Sequence, residues 1–221
     1  MDKYLFFALA GDLAFPPRCM FCSKVIASGT VCECEREAFV LKFAGAQRLA
    51  SNENHRLDFL EFAVSSFKYK GPVAKAVLAH KDPNSAWISS RMAELICADI
   101  RDFIKPQCID YVVGVPGYLG SGAHSKSLAS ETARRLSLPD KSRLLVKTRA
   151  TQKQHLSAMN ERTENVRDAF RTLRTAKLSD SVVLLVDDVL TSGNTLCECA
   201  RALKKSGCKK VIGLTFCRAA D

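Results

Sequence analysis

Apolar residues in this chain follow two spacings, and the switch between them marks out the elements. Dense apolar stretches occur at Ile109-Asp110-Tyr111-Val112-Val113-Gly114-Val115-Pro116, at Val182-Val183-Leu184-Leu185-Val186 and at Val211-Ile212-Gly213-Leu214-Thr215-Phe216. Runs of this kind suit strands buried on both faces of a parallel sheet. Leu144-Leu145-Val146 predicts a further short strand. Elsewhere apolar positions recur every three or four residues, which predicts helices over 73–78, 86–104, 125–136 and 196–205. In the longest of these, Ile88, Met92, Leu95, Ile96, Ile100 and Phe103 share one side, and Pro106 ends it. Gly71-Pro72 starts the first, with proline where a helix tolerates it. Strands alternating with helices predict an α/β fold around a parallel sheet. No internal repeat is present. Residues 148–165 are polar and aperiodic, which predicts a long mobile loop of the functional kind.

Composition narrows the class. A hydrophobic content of 47% excludes a disordered chain, and 221 residues suffice for one α/β domain with a small appendage. The net charge of +10 and pI near 9.2 favour anionic partners: phosphates, nucleic acid or an acidic protein surface. The apolar run Tyr4-Leu5-Phe6-Phe7-Ala8-Leu9-Ala10 is short and is followed by Asp12, so a docked helix is expected rather than a signal peptide. No stretch reaches the length of a membrane span. Ten cysteines without an export signal predict a reducing, cytoplasmic setting and favour metal ligation over disulfides.

Chemistry concentrates at two places. The strand at 183–186 delivers two adjacent carboxylates, Asp187 and Asp188, and then the turn Val189-Leu190-Thr191-Ser192-Gly193-Asn194-Thr195 opens a helix. Ligands of open α/β sheets bind at the carboxyl ends of the strands. A helix start with small hydroxyl residues and an unhindered glycine offers backbone amides to an anion. Acceptors for sugar hydroxyls beside donors for a phosphate describe a site for a phosphorylated sugar.

The second place is Cys19-Met20-Phe21-Cys22 followed by Cys32-Glu33-Cys34, four thiols within sixteen residues. Such density suits tetrahedral zinc, whose binding supplies folding energy to a segment too short to build a core. The Cys-x-Cys spacing strains simultaneous ligation by Cys32 and Cys34, which leaves open three cysteines plus His55, a knuckle without metal, or a redox Cys-x-x-Cys. The other six cysteines, Cys97, Cys108, Cys197, Cys199, Cys208 and Cys217, are expected to be packing residues.

The thirteen residues 183–195 resemble the 5-phosphoribosyl-1-pyrophosphate (PRPP) signature of type I phosphoribosyltransferases. That resemblance implies that Asp187 and Asp188 hold the ribose 2′- and 3′-hydroxyls, and that Val189 to Thr195 hold the 5′-phosphate. Further landmarks stand in order: Phe15-Pro16-Pro17-Arg18-Cys19, Phe67-Lys68-Tyr69-Lys70-Gly71, Val113-Gly114-Val115-Pro116, and Thr151, Gln154, Arg162 and Asn165 ahead of Ala169-Phe170. Together they resemble the ComF family, a zinc-ribbon module fused to a type I phosphoribosyltransferase fold. The resemblance implies a module over residues 1–50, a phosphoribosyltransferase-like domain over 51–221, PRPP carried with Mg²⁺, and a structural zinc on Cys19, Cys22, Cys32 and Cys34. It also implies a role in DNA uptake during natural transformation, with single-stranded DNA and a DNA-translocating ATPase as partners. The chain departs from the family after Pro116. Where an Arg-Gly-Phe-Asn-Gln run is usual, it reads Gly120-Ser121-Gly122-Ala123-His124-Ser125-Lys126, which leaves Gly117, His124 and Lys126 as candidates on the pyrophosphate side.

Positive charge is dense between Lys141 and Lys177, and Lys147, Arg149, Lys153, Arg162 and Arg167 are the candidate contacts to nucleic acid there. Two function classes follow. One is a PRPP-binding protein that handles single-stranded DNA; the other is an active phosphoribosyltransferase of nucleotide salvage. The absence of an evident base-binding hood and the altered pyrophosphate loop favour the first.

Overall fold

The computed structural model describes residues 16–27, 29–52, 55–82, 86–117, 123–149, 166–173 and 178–219. Its elements are α1 (Glu33–Val40), β1 (Lys42–Leu49), β2 (Phe62–Lys68), α2 (Gly71–His80), α3 (Ala86–Ile104), β3 (Tyr111–Gly114), α4 (Ala123–Leu136), β4 (Leu145–Lys147), β5 (Phe170–Thr172), β6 (Val182–Leu190), α5 (Asn194–Lys205) and β7 (Lys210–Arg218). The N-terminal helix expected at 4–10 and most of the loop expected at 148–165 lie outside the described residues.

Five strands form one sheet in the order β1-β2-β7-β6-β3. β2, β7, β6 and β3 run parallel, and β1 is antiparallel to β2 at one edge. The apolar runs divide by the period of two. Leu184, Val186, Ile212, Leu214 and Phe216 join one core with α2, α3 and α4, while Val183, Leu185 and Val211 join another with α5, Leu145 and Phe170. Both faces are covered, which is why these strands read as continuous hydrophobic runs.

Two elements differ from expectation. β1 was not expected; it is an edge strand of mixed composition with an irregularity between Lys42 and Gln47, so it carries no clean alternation. The strand expected at 144–146 lies outside the main sheet, where Leu145–Lys147 pairs antiparallel with β5. The cause is the segment before it. The Val112 amide donates to Pro139 O at 3.0 Å, Val112 O accepts from the Lys141 amide at 2.8 Å, and the Gly114 amide donates to Ser142 Oγ at 2.8 Å. These contacts close the free edge of β3 and turn the chain away. β1, on the N-terminal side of the boundary expected at residue 50, is hydrogen-bonded into the same sheet as the rest.

Gly114 fixes the height of α4. A Cβ there would stand 3.0 Å from both Ala129 Cβ and Ser125 O, so only glycine admits the start of α4 this close to β3. That approach brings His124 and Ser125 to the carboxyl end of β6. Among the described residues, no helix is long and apolar enough to cross a membrane.

Candidate functional site

The carboxylates sit in the second half of β6, where the strand is still paired with β7: Asp187 opposite Thr215 and Val189 opposite Cys217. Asp188 is buried, and Asp187 is partly accessible. Asp187 Oδ1 accepts from Ser125 Oγ at 2.9 Å and from the Asp188 amide at 3.0 Å. Burial and then the neighbouring Asp188 charge raise the Asp187 carboxyl above the usual carboxylate range, and the Ser125 bond offsets part of this. Asp188 Oδ2 is buried with no hydrogen-bond partner among the described residues. Two basic side chains approach it beyond hydrogen-bond distance: His124 Nε2 at 3.7 Å and Lys81 Nζ at 3.9 Å. His80 packs edge-on to His124, with ring centroids 5.6 Å apart, and its Nε2 lies 2.7 Å from Ser89 Oγ. Burial pushes its pKa down to about 4, so His80 is neutral at neutral pH.

The turn after β6 is held from outside. Gly193 has φ +79°, and a Cβ there would meet Arg56 O at 2.6 Å and Leu57 Cδ2 at 2.9 Å. The Arg56 amide donates to Ser192 O at 2.8 Å. Segment 55–58 therefore presses on Thr191-Ser192-Gly193, and α5 begins at Asn194. Strand, carboxylates, left-handed turn and helix start are contiguous, as an anion and sugar site requires.

Of the pyrophosphate-side candidates, His124 reaches the acid pair. Gly117 follows Pro116 just beyond β3. Lys126 lies in α4, where among the described residues Ser125 and His124, not Lys126, contact the carboxylates. Sequence reasoning missed His80, Lys81 and Ser125 as members of this site. His80-Lys81 ends the helix that follows the Phe67–Gly71 motif, a signal that marks a basic pair but not its destination.

The cysteines gather more tightly than their spacing suggested. Cys19, Cys22, Cys32 and Cys34 place all four sulfurs within 4.8 Å of one another. Cys19–Cys34 are 3.3 Å apart, Cys32–Cys34 3.2 Å and Cys22–Cys32 3.8 Å. A tetrahedron with Zn–S bonds of about 2.3 Å has edges of about 3.8 Å, so the donor set fits a structural metal. The Cys-x-Cys pair closes because Cys32 is the extended residue before α1 and Cys34 lies in its first turn. A tight turn with Ser23 at φ 61° returns the first pair, and Arg18 bridges Val25 across it. All described cysteines are free thiols. His55 is elsewhere, in the segment beside the 191–193 turn. Five of the remaining six cysteines are buried as expected, and Cys108 is exposed because Ile104–Cys108 is the surface end of α3 and its 3₁₀ turn. Cys19, Met20 and Phe21 belong to the same core as α3 and β2, and Glu35 pairs with Arg91 at 3.2 Å.

Three belt residues lie together: Arg149 donates to Arg167 O at 2.8 Å, and Lys147 Nζ sits 5.5 Å from the Phe170 ring centroid. Partial burial lowers the Lys147 pKa. Lys153 and Arg162, with Thr151, Gln154 and Asn165, lie outside the described residues.

Residues 109–221 match the family profile described as the phosphoribosyl transferase domain. The chain belongs to the phosphoribosyltransferase family. This domain includes β3, the acid pair, the 191–195 turn and β7. The chain is also similar to competence protein F of Haemophilus influenzae, 27% identical over 153 residues, covering 65% of this chain and 66% of that protein. With the DNA utilization protein YhgH of Escherichia coli it shares 28% identity over 160 residues, covering 68% and 69%. The matches thus span about two thirds of those relatives' lengths. The ComF resemblance read from the motifs is borne out by them. Among solved structures, adenine phosphoribosyltransferase from Saccharomyces cerevisiae is 11% identical with a TM-score of 0.43, covering 86% of this chain and 90% of that one, a likeness too low to carry weight.

Proposed function

We propose that this phosphoribosyltransferase domain binds PRPP with Mg²⁺ and serves DNA uptake in the cytoplasm, where the protein handles incoming single-stranded DNA beside a DNA-translocating ATPase. The observation that carries the PRPP reading is the buried Asp188 oxygen, without a hydrogen-bond partner among the described residues, at the head of a left-handed turn and a helix start. In this reading Asp187 and Asp188 accept hydrogen bonds from the ribose hydroxyls. The amides and hydroxyls from Val189 to Thr195 hold the 5′-phosphate, and Mg²⁺ arrives on the pyrophosphate. In a transfer, the bond from ribose C1 to pyrophosphate oxygen breaks with its electron pair leaving on pyrophosphate, a ring nitrogen of the acceptor base bonds to C1 and gives up its proton, and the acid pair faces the positive charge that develops on the ribose between the two. Zinc on the four thiolates fixes the N-terminal segment.

The uptake role is supported by the names of the relatives, competence protein F and DNA utilization protein YhgH, and the nucleic-acid role by the cluster of Lys147, Arg149 and Arg167. Calorimetric titration of Mg²⁺–PRPP into the zinc-loaded chain and its Asp188→Ala variant tests the pocket: binding to the wild type that is lost in the folded variant is expected, and no binding to either contradicts it. Fluorescence anisotropy with labelled oligo-dT tests the second part. Affinity falling steeply between 50 and 200 mM salt is the order of change expected for several phosphate contacts. Pyrophosphate release on adding free nucleobases, rather than on adding DNA, would favour the salvage reading.

A further inference from the structure

The turn after α2 brings a cation into the acid-pair site that no sequence motif contains. Lys81 Nζ stands 3.9 Å from Asp188 Oδ2, and His124 Nε2 approaches the same oxygen to 3.7 Å from the start of α4. Both distances exceed a hydrogen bond. The oxygen itself is buried and unsatisfied among the described residues, so the two donors flank it without quenching it. A hydroxyl donating to Oδ2 would sit in contact with Lys81.

The chemistry of the sugar says what comes next. On PRPP the 2′-hydroxyl and the pyrophosphate are on adjacent carbons and on the same face of the ring. With Asp188 Oδ2 as the acceptor of the 2′-hydroxyl, a cation next to that oxygen is next to the pyrophosphate, while the 5′-phosphate lies across the ring at the 191–195 turn. The run from 120 to 126 contains no arginine, so the loop after β3 lacks the strong planar donor suited to a diphosphate. Lys81 is about half exposed (48%) on a flexible stem, which lets the ammonium turn toward the phosphate without disturbing α2.

Resting on the PRPP reading above, we infer that Lys81 is the pyrophosphate-binding cation of this site, taking the place of a cation in the loop after β3. The competing role is that Lys81 only neutralises Asp188. The two roles part on ligands that differ in the pyrophosphate.

Calorimetry of wild type, Lys81→Met and Lys81→Arg with Mg²⁺–PRPP, Mg²⁺–pyrophosphate and ribose 5-phosphate separates them. Lys81→Met should weaken PRPP and pyrophosphate by about 10-fold or more, the scale of one charge-assisted contact, and leave ribose 5-phosphate unchanged. Lys81→Arg should restore most of the loss. Equal weakening of PRPP and ribose 5-phosphate, or no change in either, overturns the inference while the PRPP reading stands. Failure of the wild type to bind PRPP overturns that reading and this one with it.

Discussion

The four thiols near the N-terminus and the two carboxylates at the end of β6 are both clusters of like acidic groups, resolved in opposite ways. The thiols face one another: every sulfur lies within 4.8 Å of the other three, and together they leave a centre the size of one ion. Burial raises the Cys19 and Cys34 thiols, a bias against thiolates that a divalent cation at the centre reverses. The carboxylates instead sit near the carboxyl end of β6, Asp188 buried and Asp187 partly accessible. Asp187 is hydrogen-bonded by Ser125, and Asp188 keeps an oxygen with no hydrogen-bond partner among the described residues, approached at 3.7 and 3.9 Å by His124 and Lys81. A donor set that closes on itself holds structure. One that leaves a buried acceptor without a hydrogen-bond partner among the described residues, beside a half-exposed lysine, is arranged for something that arrives.

The largest effect should come from opening the closed cluster. Cys34→Ser, or treatment with a chelator, is expected to lower Tm by on the order of 10 °C, because Cys19, Met20 and Phe21 share a core with α3 and a few kcal/mol correspond to that shift in a chain of this size. Thermal unfolding with metal content measured in parallel checks this. An unchanged Tm after complete metal loss would make the cluster incidental.

Next comes the turn that frames the open site. Gly193→Ala adds a Cβ 2.6 Å from Arg56 O at a φ of +79°, so it should cost about 2–4 kcal/mol in urea unfolding and abolish PRPP binding. The comparison sharpens here, since the zinc content of this variant should not change.

The smallest effect has the opposite sign. The Asp187 carboxyl is raised in the folded chain, so the folded state holds its proton at pH values where the unfolded chain has released it. Stability of the ligand-free protein therefore declines as pH rises from the ordinary carboxylate range through the raised one. Asp187→Asn keeps an oxygen for Ser125 and removes the charge, so it should flatten that decline and stabilise the ligand-free chain at neutral pH by about 1 kcal/mol, while weakening PRPP binding. Denaturant unfolding across pH 4–9 measures it; a variant less stable than wild type at every pH would contradict the account of a frustrated acid pair.

Much of this was legible in the chain. Val183–Val186 and Val211–Phe216 read as core strands because two covered faces leave little room for polar residues, and the one exception, Thr215, is buried against Ser65 Oγ at 2.6 Å. The 187–195 site was legible because its groups are consecutive. His80, Lys81 and Ser125 were not, since their place in the site depends on α2 ending, and α4 starting, beside Asp188. β1 was hidden by its irregular pairing, and β4 was misplaced because backbone bonds from Pro139 to Ser142, invisible in an apolar pattern, close the edge of β3. The Cys-x-Cys spacing looked unfavourable only until the start of α1 was placed between its two thiols.

Amide hydrogen exchange of the zinc-loaded protein with and without Mg²⁺–PRPP tests the contrast between the two clusters most directly. The account predicts new protection over 187–198 and at the start of α4, with exchange over 19–34 unchanged. Protection appearing at the cysteine segment with none at 187–198 would contradict it.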